Sequence, residues 1–156
     1  KYLELVNKIR KKINNVIIST DIIVGFPNET EEDFNETINV VNEIKFDFAY
    51  TFIYSKREGT PAAKIDDTVS LKEKEQRLYK LNELINKYAK ESNERQVGRI
   101  LSVLVEGISE KDSNKVVGYA ENFKLVNIDA PKDTIGAIIN VKIISAKSWS
   151  LDGKII

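Results

Sequence analysis

Ser19-Thr20-Asp21-Ile22-Ile23-Val24-Gly25-Phe26-Pro27-Asn28-Glu29-Thr30 decides how the first half of this 156-residue chain folds. Val16-Ile17-Ile18 and Ile22-Ile23-Val24 form a nearly unbroken β-branched run. That pattern predicts a strand over residues 16–25 buried on both faces, as in a parallel sheet. The run stops at Gly25-Phe26-Pro27, and Asn28 is a residue type that tolerates positive φ. Thr30 with Asp33 three positions on has the spacing of a capping box, so a helix starts there. A buried strand, a tight turn and a capped helix form the corner at which α/β folds bind ligands. The same corner also serves simply to reverse the chain. Asp21 is the anomaly of the run: a carboxylate in an apolar strand faces out at an edge or meets a specific partner.

Working outward, residues 31–45 place Phe34, Ile38, Val41 and Ile44 on one helical face. Glu31, Glu32 and Asp33 at its start complement the helix dipole and receive no catalytic role. The next strand, 46–54, carries Phe46, Phe48, Tyr50, Phe52 and Tyr54 on one side and Ala49, Thr51 and Ile53 on the other. Its aromatic row is expected to be core rather than a base-stacking platform. Two strands joined by one helix predict a βαβ unit with a parallel pair. The polar loop Ser55–Pro61 then falls at the same end of the sheet as Gly25-Phe26-Pro27. Upstream, residues 2–13 form an amphipathic helix; its Arg10-Lys11-Lys12 run complements the dipole or meets phosphate. Downstream, Asp66–Val69 is a connector, and Ser70 with Glu73 repeats the capping-box spacing. Leu71, Leu78, Leu81, Leu84, Ile85 and Tyr88 then carry a long helix to about residue 94, roughly 36 Å at 1.5 Å per residue. It closes the side of the sheet or, alternatively, forms a coiled-coil dimer.

From residue 96 the apolar period changes from 3.6 to 2, which places a domain boundary between 1–95 and 96–156. Strands are expected at 100–106, 115–120, 125–128, 137–146 and 148–154, separated by turns at Glu110–Asn114, Asp129-Ala130-Pro131 and Asp152-Gly153. Five short strands predict a small OB-like β-barrel, so the fold class is α/β followed by all-β. Such barrels grip nucleic acid with aromatic side chains and a basic groove. The candidates here are Lys115, Tyr119, Asn122, Phe123, Lys124, Lys142, Lys147 and Trp149. Trp149 reads equally as a plug in the barrel core.

Composition narrows the chemistry. Lys plus Arg and Asp plus Glu each number 24, so no net field draws the chain to nucleic acid or membrane. Residues 1–95 carry 16 basic and 17 acidic side chains and residues 96–156 carry 8 and 7, so neither half is a basic module. No apolar run approaches the roughly 20 residues of a membrane span, and a cytoplasmic location is expected. There is no cysteine and no histidine, which excludes disulfides and thiolate or imidazole metal sites within these residues.

Three ordered stretches carry a family resemblance. Residues 19–30 resemble the fifth-strand segment of the radical S-adenosylmethionine methylthiotransferases. Phe52-Ile53-Tyr54-Ser55-Lys56-Arg57-Glu58-Gly59-Thr60-Pro61-Ala62-Ala63 resembles the family's sixth-strand exit. Ser145-Ala146-Lys147-Ser148-Trp149-Ser150-Leu151-Asp152-Gly153 resembles the end of its C-terminal TRAM domain. Together they span essentially the whole chain. Within the family, the Ser-Thr-Asp and Ala-Lys-Ser-Trp-Ser-Leu stretches are most similar to members that methylthiolate isopentenyl-adenosine beside the tRNA anticodon. Members acting on threonylcarbamoyl-adenosine in tRNA, or on a ribosomal protein aspartate, are the alternative.

The resemblance implies a late segment of a radical S-adenosylmethionine partial TIM barrel at 1–95 and a TRAM domain at 96–156. It also implies S-adenosylmethionine and two 4Fe–4S clusters in the full-length enzyme, one cluster for radical formation and one for sulfur supply. Clusters need thiolates, so the chain is expected to be a C-terminal fragment, inert alone and without a cofactor of its own. Its partners would be the N-terminal domains of the same polypeptide and the tRNA anticodon stem-loop. A cut barrel edge also predicts self-association through residues 1–60. By the same resemblance, Ile23, Gly25, Phe26, Tyr54 and Ser55 contact the cofactor's adenine. Arg57 supplies a rim charge that forks onto a carboxylate or phosphate, or else is a surface arginine paired with Glu58 or Asp66. Two departures from the family stand out. Asp21 replaces the first glycine of the family's Gly-x-Ile-x-Gly pattern, with Asn28 where glycine is commoner. Tyr119-Ala120-Glu121 replaces an Arg-Thr-Arg run before Asn122, which predicts weak RNA binding by the barrel alone.

Overall fold

The computed structural model describes residues 1–110 and 112–156 and divides into two compact units, Lys1–Tyr88 and Ala89–Ile156. Among the described residues no helix is long and apolar enough to cross a membrane.

The first unit holds α1 (Tyr2–Lys12), β1 (Ser19–Val24), α2 (Glu31–Ile44), β2 (Phe48–Ile53) and the part of α3 (Leu71–Glu94) up to Tyr88. Both capping boxes form. Asp33 N–H donates to Thr30 Oγ1 at 3.1 Å while Thr30 N–H donates to Asp33 Oδ2 at 3.0 Å. At α3, Ser70 N–H donates to Glu73 Oε2 at 3.0 Å and Glu73 N–H to Ser70 Oγ at 3.3 Å. α2 ends where Lys45 adopts left-handed φ of 52°. β1 and β2 pair in parallel from Ser19↔Phe48 to Val24↔Ile53. Val24, Phe34, Val41, Ile44, Ala49, Leu81 and Ile85 form the core.

This sheet differs from expectation in two ways. Strand β1 is shorter than 16–25, because Ile18 leaves the ladder to form a reciprocal pair with the buried Asp47. Ile18 N–H donates to Asp47 Oδ2 at 2.8 Å and Asp47 N–H to Ile18 O at 3.0 Å. Second, the sheet is covered on one face only. Alternation turns Val24, Ala49 and Ile53 toward the helices, where Thr51 Oγ1 donates to Asn82 of α3. It leaves Asp21, Ile23, Tyr50 and Phe52 exposed on the other face. The strand is therefore not buried on both sides, and of the aromatic row only Phe46, which lies before the strand, is core.

In the second unit β3 (Ile100–Ser109), β4 (Asp112–Ala120), β5 (Leu125–Asp129), β6 (Ile138–Ala146) and β7 (Leu151–Ile155) close a barrel in the order β3-β4-β5-β7-β6. The β5–β7 pair is parallel and the rest are antiparallel. Inward residues Leu101, Val103, Val116, Val126, Ile128, Val141, Ile143 and Leu151 fill it. This is the expected five-stranded OB-like barrel. The turn expected at Glu110–Asn114 is tighter, since β4 already includes Asp112–Asn114; Lys111 lies outside the described residues. Strand β7 starts at Leu151 rather than Ser148, because Lys147 N–H donates to Ser150 O at 2.8 Å and closes a turn around Trp149.

Gly118 marks the tightest approach in the wall: a Cβ there would lie 2.0 Å from Leu104 O and 2.8 Å from its carbonyl carbon. Nothing lies within 4 Å of a Cβ on Gly107. Gly118→Ala is expected to cost about 3 kcal/mol in denaturant unfolding of the chain, and Gly107→Ala to be neutral or slightly stabilising. The caps give a second expectation. The Thr30 backbone N–H, then its hydroxyl, holds the Asp33 carboxyl below its ordinary 3.8. The Ser70 hydroxyl, then its N–H, holds Glu73 below 4.5. A depressed carboxyl stabilises the fold above its unfolded-state value and loses that effect as pH falls through its folded value. Unfolding monitored at descending pH is expected to show stability falling on the acid side of these values, with a shallower fall in Asp33→Asn, Glu73→Gln.

Candidate functional site

The C-terminal ends of β1 and β2 meet at a rim fixed by buried charges. Gly25 turns the chain at φ 68° and donates its N–H to Glu29 Oε1 at 2.9 Å. The same carboxylate oxygen accepts from Arg77 Nη1 at 2.7 Å, and Arg77 also donates to Glu29 O at 3.0 Å. The Arg77 and Glu29 side chains are 8% and 11% exposed, and the guanidinium lies over the Phe34 ring. A second buried cation, Lys74, makes a short ion pair with Asp67. That hydrogen bond holds the Asp67 carboxyl below its ordinary range. The Lys74 methylenes fill the space where a side chain on Gly25 would go, 2.4 Å from an ideal Cβ, and its ammonium stands 5.6 Å from the centre of the Tyr54 ring. Asn28, at φ 65°, accepts from Thr68 Oγ1 at 3.0 Å.

Of the expected cofactor contacts, Gly25 is used internally. Its N–H is engaged, and the gap left by its missing Cβ holds Lys74, so the backbone does not wait open for a ligand there. Phe26 and Tyr54 meet edge to face with centroids 5.1 Å apart. Tyr54 N–H extends the ladder to Val24 O, while its buried hydroxyl has no hydrogen-bond partner among the described residues. Ile23 is 55% exposed on the open face beside Phe52, its register partner. Ser55 and Arg57 are exposed on the loop, and the Arg57 side chain pairs with neither Glu58 nor Asp66 among the described residues. Glu29, Lys74 and Arg77 were not among the expected site residues. Their signal was present: Lys74 and Arg77 continue at helical spacing the stripe of Leu78, Leu81, Ile85 and Tyr88, so two cations occupy core-facing positions.

In the second unit the expected nucleic-acid residues separate. Lys124 is 6% exposed and points inward: Nζ donates to Ser92 Oγ at 2.8 Å and to Asn93 Oδ1 at 2.6 Å. Phe123 causes this. Its left-handed φ of 59° reverses the β4–β5 turn, leaving its own ring 78% exposed and sending the next side chain inside. Lys124 is therefore a packing residue and not an RNA contact. Asn122 shares that turn, donating to Gln96 and accepting from Lys124 N–H. Trp149 is 60% exposed in its turn, so it is not a core plug. Tyr119 is exposed on β4 and Lys142 on β6, with Lys115 half-buried on β4. Lys147 is held by Asp152 at 2.9 Å.

Residues 94–156 match the TRAM domain. Over 155 residues, 99% of its length, the chain is 52% identical to a Bacillus cytotoxicus protein called tRNA-2-methylthio-N(6)-dimethylallyladenosine synthase. Proteins of the same name from Bacillus thuringiensis and Bacillus anthracis match with equal identity and coverage. The chain spans about 30% of the length of each of these relatives.

Breaking the Arg77–Glu29 pair leaves a buried carboxylate without its counter-charge. Arg77→Leu is expected to cost about 3–5 kcal/mol in denaturant unfolding. Adding Glu29→Gln should recover part of that loss; strictly additive losses would mean that the pair does not hold the rim.

Proposed function

The chain is homologous along its length to part of the tRNA-2-methylthio-N(6)-dimethylallyladenosine synthases and carries a TRAM domain at 94–156; from that premise we propose that it serves a tRNA methylthiotransferase as a tRNA-docking barrel with one side of the S-adenosylmethionine pocket. The full enzyme would add a methylthio group to isopentenyl-adenosine beside the anticodon, in the cytoplasm.

S-adenosylmethionine, when bound with a reducing cluster, supplies a radical. The residues at the rim fit its adenine. Ile23, Phe26 and Phe52 offer an exposed apolar surface, and Tyr54 brings a hydroxyl with no partner among the described residues. The exposed Arg57 on the adjoining loop makes no ion pair among the described residues and would meet a carboxylate or phosphate. The iron–sulfur clusters would be held outside these residues, which include neither cysteine nor histidine. Among the described residues β1 and β2 pair only with each other, so their outer edges also favour association with further strands, from the same enzyme or a second copy.

The observation that carries the docking role is the aromatic display of the barrel turns, with Phe123 78% and Trp149 60% exposed. Large rings held out on short turns are ready to stack on bases, and each such stack is worth about 1–3 kcal/mol. Titrating the chain with a fluorescent isopentenyl-adenosine anticodon stem-loop tests this. Phe123→Ala, Trp149→Ala is expected to bind at least about tenfold more weakly with its unfolding curve unchanged. Equal affinity in the variant, or no binding by the unmodified chain, would overturn the reading.

A further inference from the structure

A row of register partners crosses the barrel wall from β3 to β5: Ile100 opposite Lys142, Lys142 opposite Lys154, and Lys154 opposite Asp129. Lys142 and Lys154 are both exposed, and both follow the outward turn of the pleat, since their neighbours Val141, Ile143 and Gly153 face inward. Directly opposed residues on one sheet face hold their Cβ atoms about 4.5–5.5 Å apart, and like charges there destabilise the pair.

Two acids lie nearby, and neither forms an ion pair with Lys142 or Lys154 among the described residues. Burial raises the Asp152 carboxyl, but hydrogen bonds from Lys147 and Ser145 and the nearby charges of Lys147 and Lys115 outweigh it and leave the group below its ordinary value. Its charge is therefore already spent on other partners. Asp129 neighbours Lys154 in register but makes no ion pair with it among the described residues. The two strands also approach closely at Gly153. A Cβ on Gly153 would lie 2.4 Å from Val141 Cγ1 and 3.0 Å from Lys142 O. The glycine thus lets β7 close onto β6, and the register places Lys154 opposite Lys142.

We infer that Lys142 and Lys154 form a two-cation seat for the sugar–phosphate backbone of the RNA, with Ile100 as its apolar border. This rests on the docking role proposed above and names the part of the barrel that takes phosphate. The pair reads no base, so it governs the strength and salt dependence of binding and leaves sequence preference alone.

The test is the salt dependence of binding by the intact chain to the anticodon stem-loop. Each phosphate neutralised contributes about 0.7–0.9 to the slope of log affinity against log salt. Lys142→Gln, Lys154→Gln is expected to flatten that slope by about 1.5, whereas Lys8→Gln, Lys132→Gln, with the same change in net charge, leaves it nearly unaltered. An equal effect of the two variants, or an unchanged slope in the first, overturns the seat while leaving the docking role standing. A separate titration with tripolyphosphate, followed by backbone amide NMR, needs no RNA. Shifts centred on residues 142 and 154 support the seat even if the stem-loop does not bind, and shifts centred elsewhere overturn it.

Discussion

Successive residues of a strand face opposite sides of its sheet, and that alternation governs what each unit of this chain can offer. In the first unit, helices cover the side of β1 and β2 that carries Val24, Ala49, Thr51 and Ile53. Of the other parity, Asp21, Ile23, Tyr50 and Phe52 are left facing out. In the barrel the inward parity is filled by valine, leucine and isoleucine, so every lysine and aromatic able to meet a partner is on the outside or in a turn. Chemistry is confined to one parity because the other is needed for the core.

The second constraint is the treatment of buried charge. Arg77 and Lys74 enter a helical stripe that otherwise carries Leu78, Leu81 and Ile85, and each meets an oxygen partner there. Removing a cation from water costs several kcal/mol unless such partners are in place. Here the partners belong to the turn itself: Glu29 holds Gly25 N–H, and Asp67 flanks the connector into α3. The charges thereby convert a mobile type of segment, a glycine turn, into a fixed rim. Lys124 does the same in the barrel, through Ser92 and Asn93. Arg77, Lys74 and Lys124 are thus buried cations that set geometry.

Much of the architecture was legible in the sequence, because it rests on local patterns. Thr30/Asp33 and Ser70/Glu73 begin helices by hydrogen bonds spanning three residues, and the change of apolar period near residue 96 anticipated the barrel. What stayed hidden depends on which faces find neighbours. The run around Ile22–Val24 looks doubly buried, since side-chain type alone does not reveal that one layer of helices is present and a second is not among these residues. Lys124 reads from the sequence as a candidate RNA contact because it is a cation in a barrel of a kind that grips nucleic acid. Only the left-handed turn at Phe123 shows that the side chain reverses inward. Conversely Lys154 escaped notice, because its meaning comes from Lys142, twelve residues away in sequence and directly opposite in the wall.

The glycines sharpen this distinction between conformation and function. A turn glycine such as Gly25 is commonly read as an opening for a ligand, since a missing Cβ lets another group approach. Here that space is already occupied by Lys74, and positive φ accounts for the residue type. Gly118 and Gly153 are also occupied, but by the neighbouring strands Leu104–Val105 and Val141–Lys142. At these three positions the missing Cβ brings elements of the protein together. The effect on function is indirect. Gly25 makes room for Lys74 beside the edge-to-face pair of Phe26 and Tyr54 at the rim, and Gly153 lets β7 close onto β6 where Lys142 and Lys154 are register partners.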